Sequence, residues 1–302
     1  MDPGHAEQIL AAERPAFARA VRAIISGEVA ALRAELAAAP ELIHARSGAS
    51  HRATLLHYVA ANGIEDALQR QVPDADEIAR VLLAAGAEVD ATCNAYEGRC
   101  PTTLALLVSS DHPARAGVSA RLVHVLCDAG AAVDGLDGDR LPLSTALLFG
   151  RIECVDALLE RGARTDNLVF AAAGGDLGWT RRWLDGDSDL VVEPCPSFPL
   201  EDDRRALAEQ ALVFASLCGR VDVVRLLLDA GIHVNATPTG SHWTATALHA
   251  AAGQGQRAVV ELLLERGADP TIKDVRYQST PLGWARHMSR DDVVALLTEL
   301  AL

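Results

Sequence analysis

The residues able to do chemistry in this chain are ten histidines and six cysteines, set among 41 acidic residues over 302 positions. A hydrolytic zinc site needs two histidines one helical turn apart with a glutamate between them, and no His-Glu-x-x-His occurs. Paired Cys-x-x-Cys steps, which would close a structural zinc site, are absent too. Nucleophilic catalysis finds no Gly-x-Ser-x-Gly, and Gly186-Asp187-Ser188 reads as a polar turn. Gly253-Gln254-Gly255 lacks the Gly-Lys-Ser/Thr that a phosphate loop requires. These spacings assign no catalytic residue, no metal and no cofactor. Cys93 and Cys100 bracket an expected loop, where a bridge or metal clip is the alternative to the reduced thiols of a cytosolic chain.

What could position such groups is written in a repeat. Thr246-Ala247-Leu248-His249-Ala250-Ala251-Ala252-Gly253-Gln254-Gly255 predicts a helix of small residues that neighbours can approach closely. Gly255 then permits a tight turn into a second helix, whose Val259, Val260, Leu262, Leu263 and Leu264 fall at helical period. Gly267 sits where a helix end needs left-handed backbone, and Asp269-Pro270 leads into an extended finger running to about Ser279. This outline resembles the ankyrin repeat. The resemblance implies an all-α solenoid with short β-hairpin fingers, and a structural role for His249 and His57, which match the family's histidine.

Carried along the chain, the turn position of Gly255 falls on Gly27, Gly63, Asp111, Gly150, Gly175 and Gly219, and forward on Ser289, giving about eight helix pairs. The expected organisation is a tail over 1–14 and one repeat domain over 15–302, with a soft break at 185–205. Spacings of 36, 48, 39, 25, 44, 36 and 34 residues depart from the family's period of about 33. The excess lies in 65–76, 111–119 and 185–205, the last holding Pro194, Pro196 and Pro199. Between Gly162 and Leu168 the chain is too short for a finger. That shortening predicts a notch near 163–205, with Asp166, Asn167 and Phe170 beside the Pro-rich loop.

The bulk composition fits such a stack: half the residues are apolar and only 4% aromatic. No apolar run reaches the roughly 18–20 residues that span a bilayer, and the first residues lack the basic and apolar regions of a secretory signal. A cytoplasmic location and no membrane partner are expected. A net charge of −14 argues against nucleic acid, whose phosphates need a basic face. Lys273 is the single lysine; arginine dominance with abundant alanine reads as the base composition of a GC-rich, expected bacterial, genome.

The ankyrin resemblance implies that partners meet the finger tips and inner helices, the concave groove of the family. On this chain those places offer Tyr96, Glu97 and Arg99 in one finger, and Asp137, Asp139 and Arg140 in the next. Further on come His242 and Trp243, then Asp274, Arg276, Tyr277 and Trp284. Aromatic residues and arginine are the side chains most often found at interaction hot spots. Trp179 and Trp183 are expected to pack an outer helix. The expected function is a non-catalytic recognition module for a protein partner. The alternatives are a binder of a small molecule or peptide in the notch, or an enzyme using Asp137 or Asp139 with His242.

Overall fold

The computed structural model describes residues 3–60, 64, 66–95, 101–186, 194–238 and 244–299. It is all-α and divides into two compact units, 1–163 and 164–302. The division falls at the short link after Gly162, while the expected soft break, 185–205, belongs to the second unit.

In the first unit an opening helix α1 (Pro3–Ala11) precedes α2 (Pro15–Ser26) and α3 (Val29–Ala38). Then follow α4 (Leu55–Ala60), α5 (Ala75–Ala84), α6 (Thr103–Leu107), α7 (Asp111–Arg115), α8 (Ser119–Asp128), α9 (Leu141–Leu148) and α10 (Ile152–Glu160). Helices α2, α4, α6 and α9 stack in an inner row, and α3, α5, α8 and α10 in an outer one. The expected tail is a docked helix instead. Leu10 and Ala6 are buried, and Arg22 reaches Glu7 at 2.6 Å. Glu13 then accepts hydrogen bonds from the Ser47 hydroxyl and the Gly48 N–H, fixing the α1–α2 junction to the first loop.

The second unit repeats the plan with α11 (Leu168–Gly174), α12 (Leu177–Leu184), α13 (Arg204–Leu217), α14 (Val221–Asp229), α15 (Ala247–Gln254), α16 (Arg257–Glu265), α17 (Pro281–His287) and α18 (Asp291–Glu299). Its inner row is α11, α13, α15, α17, and its outer row α12, α14, α16, α18. Apart from α1 and α7, the helices among the described residues form eight pairs, as the register predicts.

Local chemistry explains the pairs. Thr246 caps α15 reciprocally: its Oγ1 accepts from the His249 N–H at 3.4 Å, and His249 Nδ1 accepts from the Thr246 N–H at 3.3 Å. Gly255, at φ 76°, makes the turn into α16, which buries Val259, Val260, Leu262 and Leu263. Each buried side chain of this size contributes about 1.5–3 kcal/mol. Gly267, at φ 85°, ends α16 by returning its N–H and that of Ala268 to Leu264 and Leu263 carbonyls. Ser289 takes the same left-handed turn at φ 54° without being glycine.

The irregular stretches are packed. In the first, Ile64 and Leu68 are buried, and Arg121 of α8 donates to the Pro73 carbonyl at 2.9 Å. The second forms α7, whose Asp111 pairs with Arg151; the turn expected at Asp111 is therefore a short helix. The fingers carry little sheet: among the described residues there are isolated bridges at Arg46–Thr54 and Thr92–Thr102.

Candidate partner-binding surface

The best-defined finger runs from α16 to α17 in the second unit, and it is built around an aspartate. Asp274 is 0% exposed. Its Oδ1 accepts the Tyr277 N–H, and its Oδ2 accepts the Ser279 N–H and the Trp284 indole N–H, both at 3.0 Å. The Asp274 N–H in turn donates to the Ser279 carbonyl at 2.9 Å, closing the loop. Burial pushes the Asp274 carboxyl up. The Tyr277 N–H, the Trp284 indole and the Ser279 N–H outweigh burial, so the group lies below the usual carboxylate range.

His249 extends this network into α15. Its Nδ1 accepts from Thr246 Oγ1 at 2.8 Å and its Nε2 donates to the Ser279 carbonyl at 3.0 Å, which fixes the neutral tautomer. Burial lowers its affinity for a proton; the Ser279 carbonyl and Asp274 oppose that only in part. The Trp284 ring meets His249 edge-on at 5.5 Å. It also closes on Gly253, where an added Cβ would lie 3.1 Å from Trp284 Cε3. Trp284 is thus half-buried and held on three sides.

On this base the tip is exposed. Val275 is 62% and Tyr277 58% accessible, and the Arg276 guanidinium lies 5.4 Å from the Tyr277 ring centre. The Val275 N–H reaches the Thr244 carbonyl of the preceding finger at 3.3 Å. A tip whose backbone is already fixed loses little conformational freedom on binding.

Of the other expected contact residues, Asp137 is exposed beside Leu136, which is 54% accessible. Asp139 turns back to accept the Leu141 N–H at 2.9 Å, beginning α9. Arg140 is not at the tip: it is 6% exposed, in left-handed backbone at φ 66°, and its N–H donates to the Asp134 carbonyl. Tyr96, Glu97, Arg99, His242 and Trp243 lie outside the described residues, as does Cys100.

Two of the residues expected at the notch are packed inside the second unit. Asn167 caps α11 by accepting the Phe170 N–H at 2.9 Å, and both residues are fully buried. In the first unit a pocket against Ile24, Tyr58, Val59, Arg70, Val72 and Pro113 holds about 10 Å³, room for one water. Among the described residues no group of three or more His, Cys, Asp or Glu is placed to hold a metal ion. His57 is buried with Nδ1 2.7 Å from Thr54 Oγ1, the counterpart of the His249–Thr246 pair, and burial drives it down to about 4. Trp183 is buried, stacked at 6.0 Å on half-buried Trp179 and covered by Arg204 at 4.3 Å.

Residue type alone placed Asp274 among the exposed finger residues, and its structural role was missed. An aspartate three and five residues before the N–H groups it accepts, with a tryptophan ten residues on, was the available signal. Two more finger residues tie repeats together. Asp90 accepts the Ala132 N–H at 3.0 Å, and Asn235 accepts the Asp269 N–H at 2.8 Å.

Helix pairs stacked in two rows, joined by fingers and locked by a Thr–His cap, define a helical repeat protein. The chain matches the ankyrin-repeat family model, in three copies, over residues 168–274. It is 28% identical over 257 residues to the ankyrin repeat and KH domain-containing protein mask-1 of Caenorhabditis elegans, covering 74% of this chain and 9% of that one. It is 32% identical over 158 residues to the ankyrin repeat and SAM domain-containing protein 6 of Danio rerio, covering 52% and 19% respectively. The chain thus spans less than a fifth of the length of these relatives. Among solved structures, the human ASB11 ankyrin repeat domain superposes with a TM-score of 0.43 at 22% identity, covering 92% of this chain and 96% of that one. No helix among the described residues is long and apolar enough to cross a membrane.

Proposed function

We propose that this chain is a non-catalytic recognition module that binds a protein partner through its fingers. The anchor in the second unit is the Val275–Arg276–Tyr277 tip, with Trp284 beneath it. One observation carries the reading: two large apolar side chains stand exposed on a loop whose backbone is locked by a fully buried aspartate. Exposed aromatic and arginine side chains on a rigid base are what interface hot spots are made of. In the first unit the reading assigns contact to Asp137 and its neighbour Leu136 and retains Tyr96, Glu97 and Arg99; in the second it retains His242 and Trp243. Asp139 and Arg140 support their own loop.

Net charge supports a protein rather than a nucleic acid as partner. A cytoplasmic setting belongs to the same proposal. Among the cysteines, Cys154 is buried as an apolar packing group, and burial pushes its thiol up to about 12. The arginine bias is read as a GC-rich bacterial genome and carries no functional weight.

The test is affinity capture from cells of the source organism, using the folded chain and its Arg276→Ala/Tyr277→Ala variant. The expected result is a protein partner retained by the wild type and lost, at least tenfold, by the variant, with unchanged thermal stability. A partner held equally by both would refute the anchor. A failure to retain any protein, together with saturable binding of a small metabolite, would refute the reading as a whole.

A further inference from the structure

Residues 194–203, Pro194-Cys195-Pro196-Ser197-Phe198-Pro199-Leu200-Glu201-Asp202-Asp203, connect toward α13 in place of a finger. Three prolines remove backbone donors and favour an extended course. The segment is nevertheless held closely. Phe198 is 4% exposed and stacks on Phe214 of α13, ring centres 4.8 Å apart and planes 15° from parallel. One turn earlier on α13, fully buried Gln210 faces the same segment. Its Nε2 donates to the Pro199 carbonyl at 2.9 Å and its Oε1 accepts the Glu201 N–H at 3.2 Å. A side-chain amide that satisfies a carbonyl and an N–H two residues apart reads the backbone between them, while the aromatic stack supplies the anchor.

The place is equivalent along the inner row. Phe214 lies five residues before the left-handed turn at Gly219, as Phe170, Ala250 and Trp284 do before Gly175, Gly255 and Ser289. Trp284 is half-exposed there, whereas Phe214 is covered by Phe198.

We propose that α13 carries a binding site for a short aromatic–proline segment, with Phe214 and Gln210 as its reading elements, and that residues 194–203 are its built-in occupant. This deepens the recognition reading. A partner segment of Phe-Pro type gains the same contacts by displacing a tethered competitor, whose effective concentration is on the order of millimolar.

Two measurements on the full chain test it. In hydrogen exchange of the wild type, the Leu200 and Glu201 amides should exchange at least tenfold faster than those of Val213 to Leu217, through an opening that leaves α13 intact. Exchange of both sets together would overturn the proposal, because the segment would then be part of the core. In the second, a fluorescent synthetic peptide of residues 194–203 is titrated into folded Phe198→Ala chain. Saturable binding is expected there, with at least tenfold weaker binding to the wild type and to Phe198→Ala/Gln210→Ala. No binding to folded Phe198→Ala overturns the proposal, and so does failure of that variant to fold, since a displaceable occupant cannot be required for the fold. Neither assay uses an outside partner, so the finger anchor stands or falls separately.

Discussion

Replacing Asp274 by alanine removes the acceptor of three donors at once: the Tyr277 N–H, the Ser279 N–H and the Trp284 indole. A hydrogen bond to a charged group is worth about 1.5–3 kcal/mol net. Three such bonds do not add, because the freed Tyr277 and Ser279 amides sit near the exposed tip and water can reach them. The indole is the exception, wedged between His249 and Gly253. A loss of about 3 kcal/mol is therefore expected for Asp274→Ala, and about 2 kcal/mol for Asp274→Asn, which keeps one acceptor but turns an amide donor toward other donors. Urea denaturation followed by far-UV circular dichroism reads this directly. Folded Asp274→Ala chain should also lose partner capture as fully as Tyr277→Ala, although the aspartate itself touches no partner. The sign of the pH effect follows from the lowered carboxyl: its stabilisation is complete above the ordinary carboxylate range and is lost as pH falls from there through the lowered folded value. A destabilisation below about 1 kcal/mol, with the tip still binding, would refute the pedestal.

Acid should weaken the first unit well before its carboxylates titrate. Unfolded His57 takes a proton near pH ~6.5, whereas the buried folded ring holds out to about 4. Its contribution is thus full above the unfolded value and falls as pH drops, by at most about 1.4 kcal/mol per pH unit and about 3 kcal/mol in all. Urea midpoints between pH 7.5 and 5 should fall in the wild type and flatten in His57→Gln; equal slopes would exclude His57 as the cause. The Cys154 thiol, pushed up to about 12 by burial, should stay unreactive toward a disulfide reagent at pH 8 until the chain unfolds, and fast labelling of that cysteine in folded chain would contradict its burial. Gly219→Ala forces a side chain into φ 73° and sets its Cβ against Gln256 Oε1, a flexible group that can move. A cost of about 1–2 kcal/mol in urea denaturation is expected, most of it backbone strain; an unchanged midpoint would show that the turn tolerates the strain.

Much of the fold was legible in the sequence because it is local. Thr246, His249 and Gly255 set one cap and one turn with partners three to nine residues away, and repetition of that outline gave the eight pairs. The irregular stretches could be located by counting, but their packing could not. Ile64 and Leu68 turn inward, and Phe198 finds Phe214, through contacts that no periodicity encodes. The opening helix was missed for the same reason: residues 1–14 show no repeat pattern, and what holds them is burial of Leu10 with the Glu13 contacts to Ser47 and Gly48.

The sequence by itself determined that stacked helix pairs with fingers would form, since helix period, glycine turns and caps are properties of neighbouring residues. Which finger residues are offered outward was decided only in three dimensions. Asp274 and Arg140 have the composition of contact residues and are buried, while Val275 and Tyr277, flanking Arg276, are left exposed. The physical reason is that a polar side chain may serve either a partner or the backbone of its own loop. That choice depends on which N–H and C=O groups the tertiary fold leaves within reach.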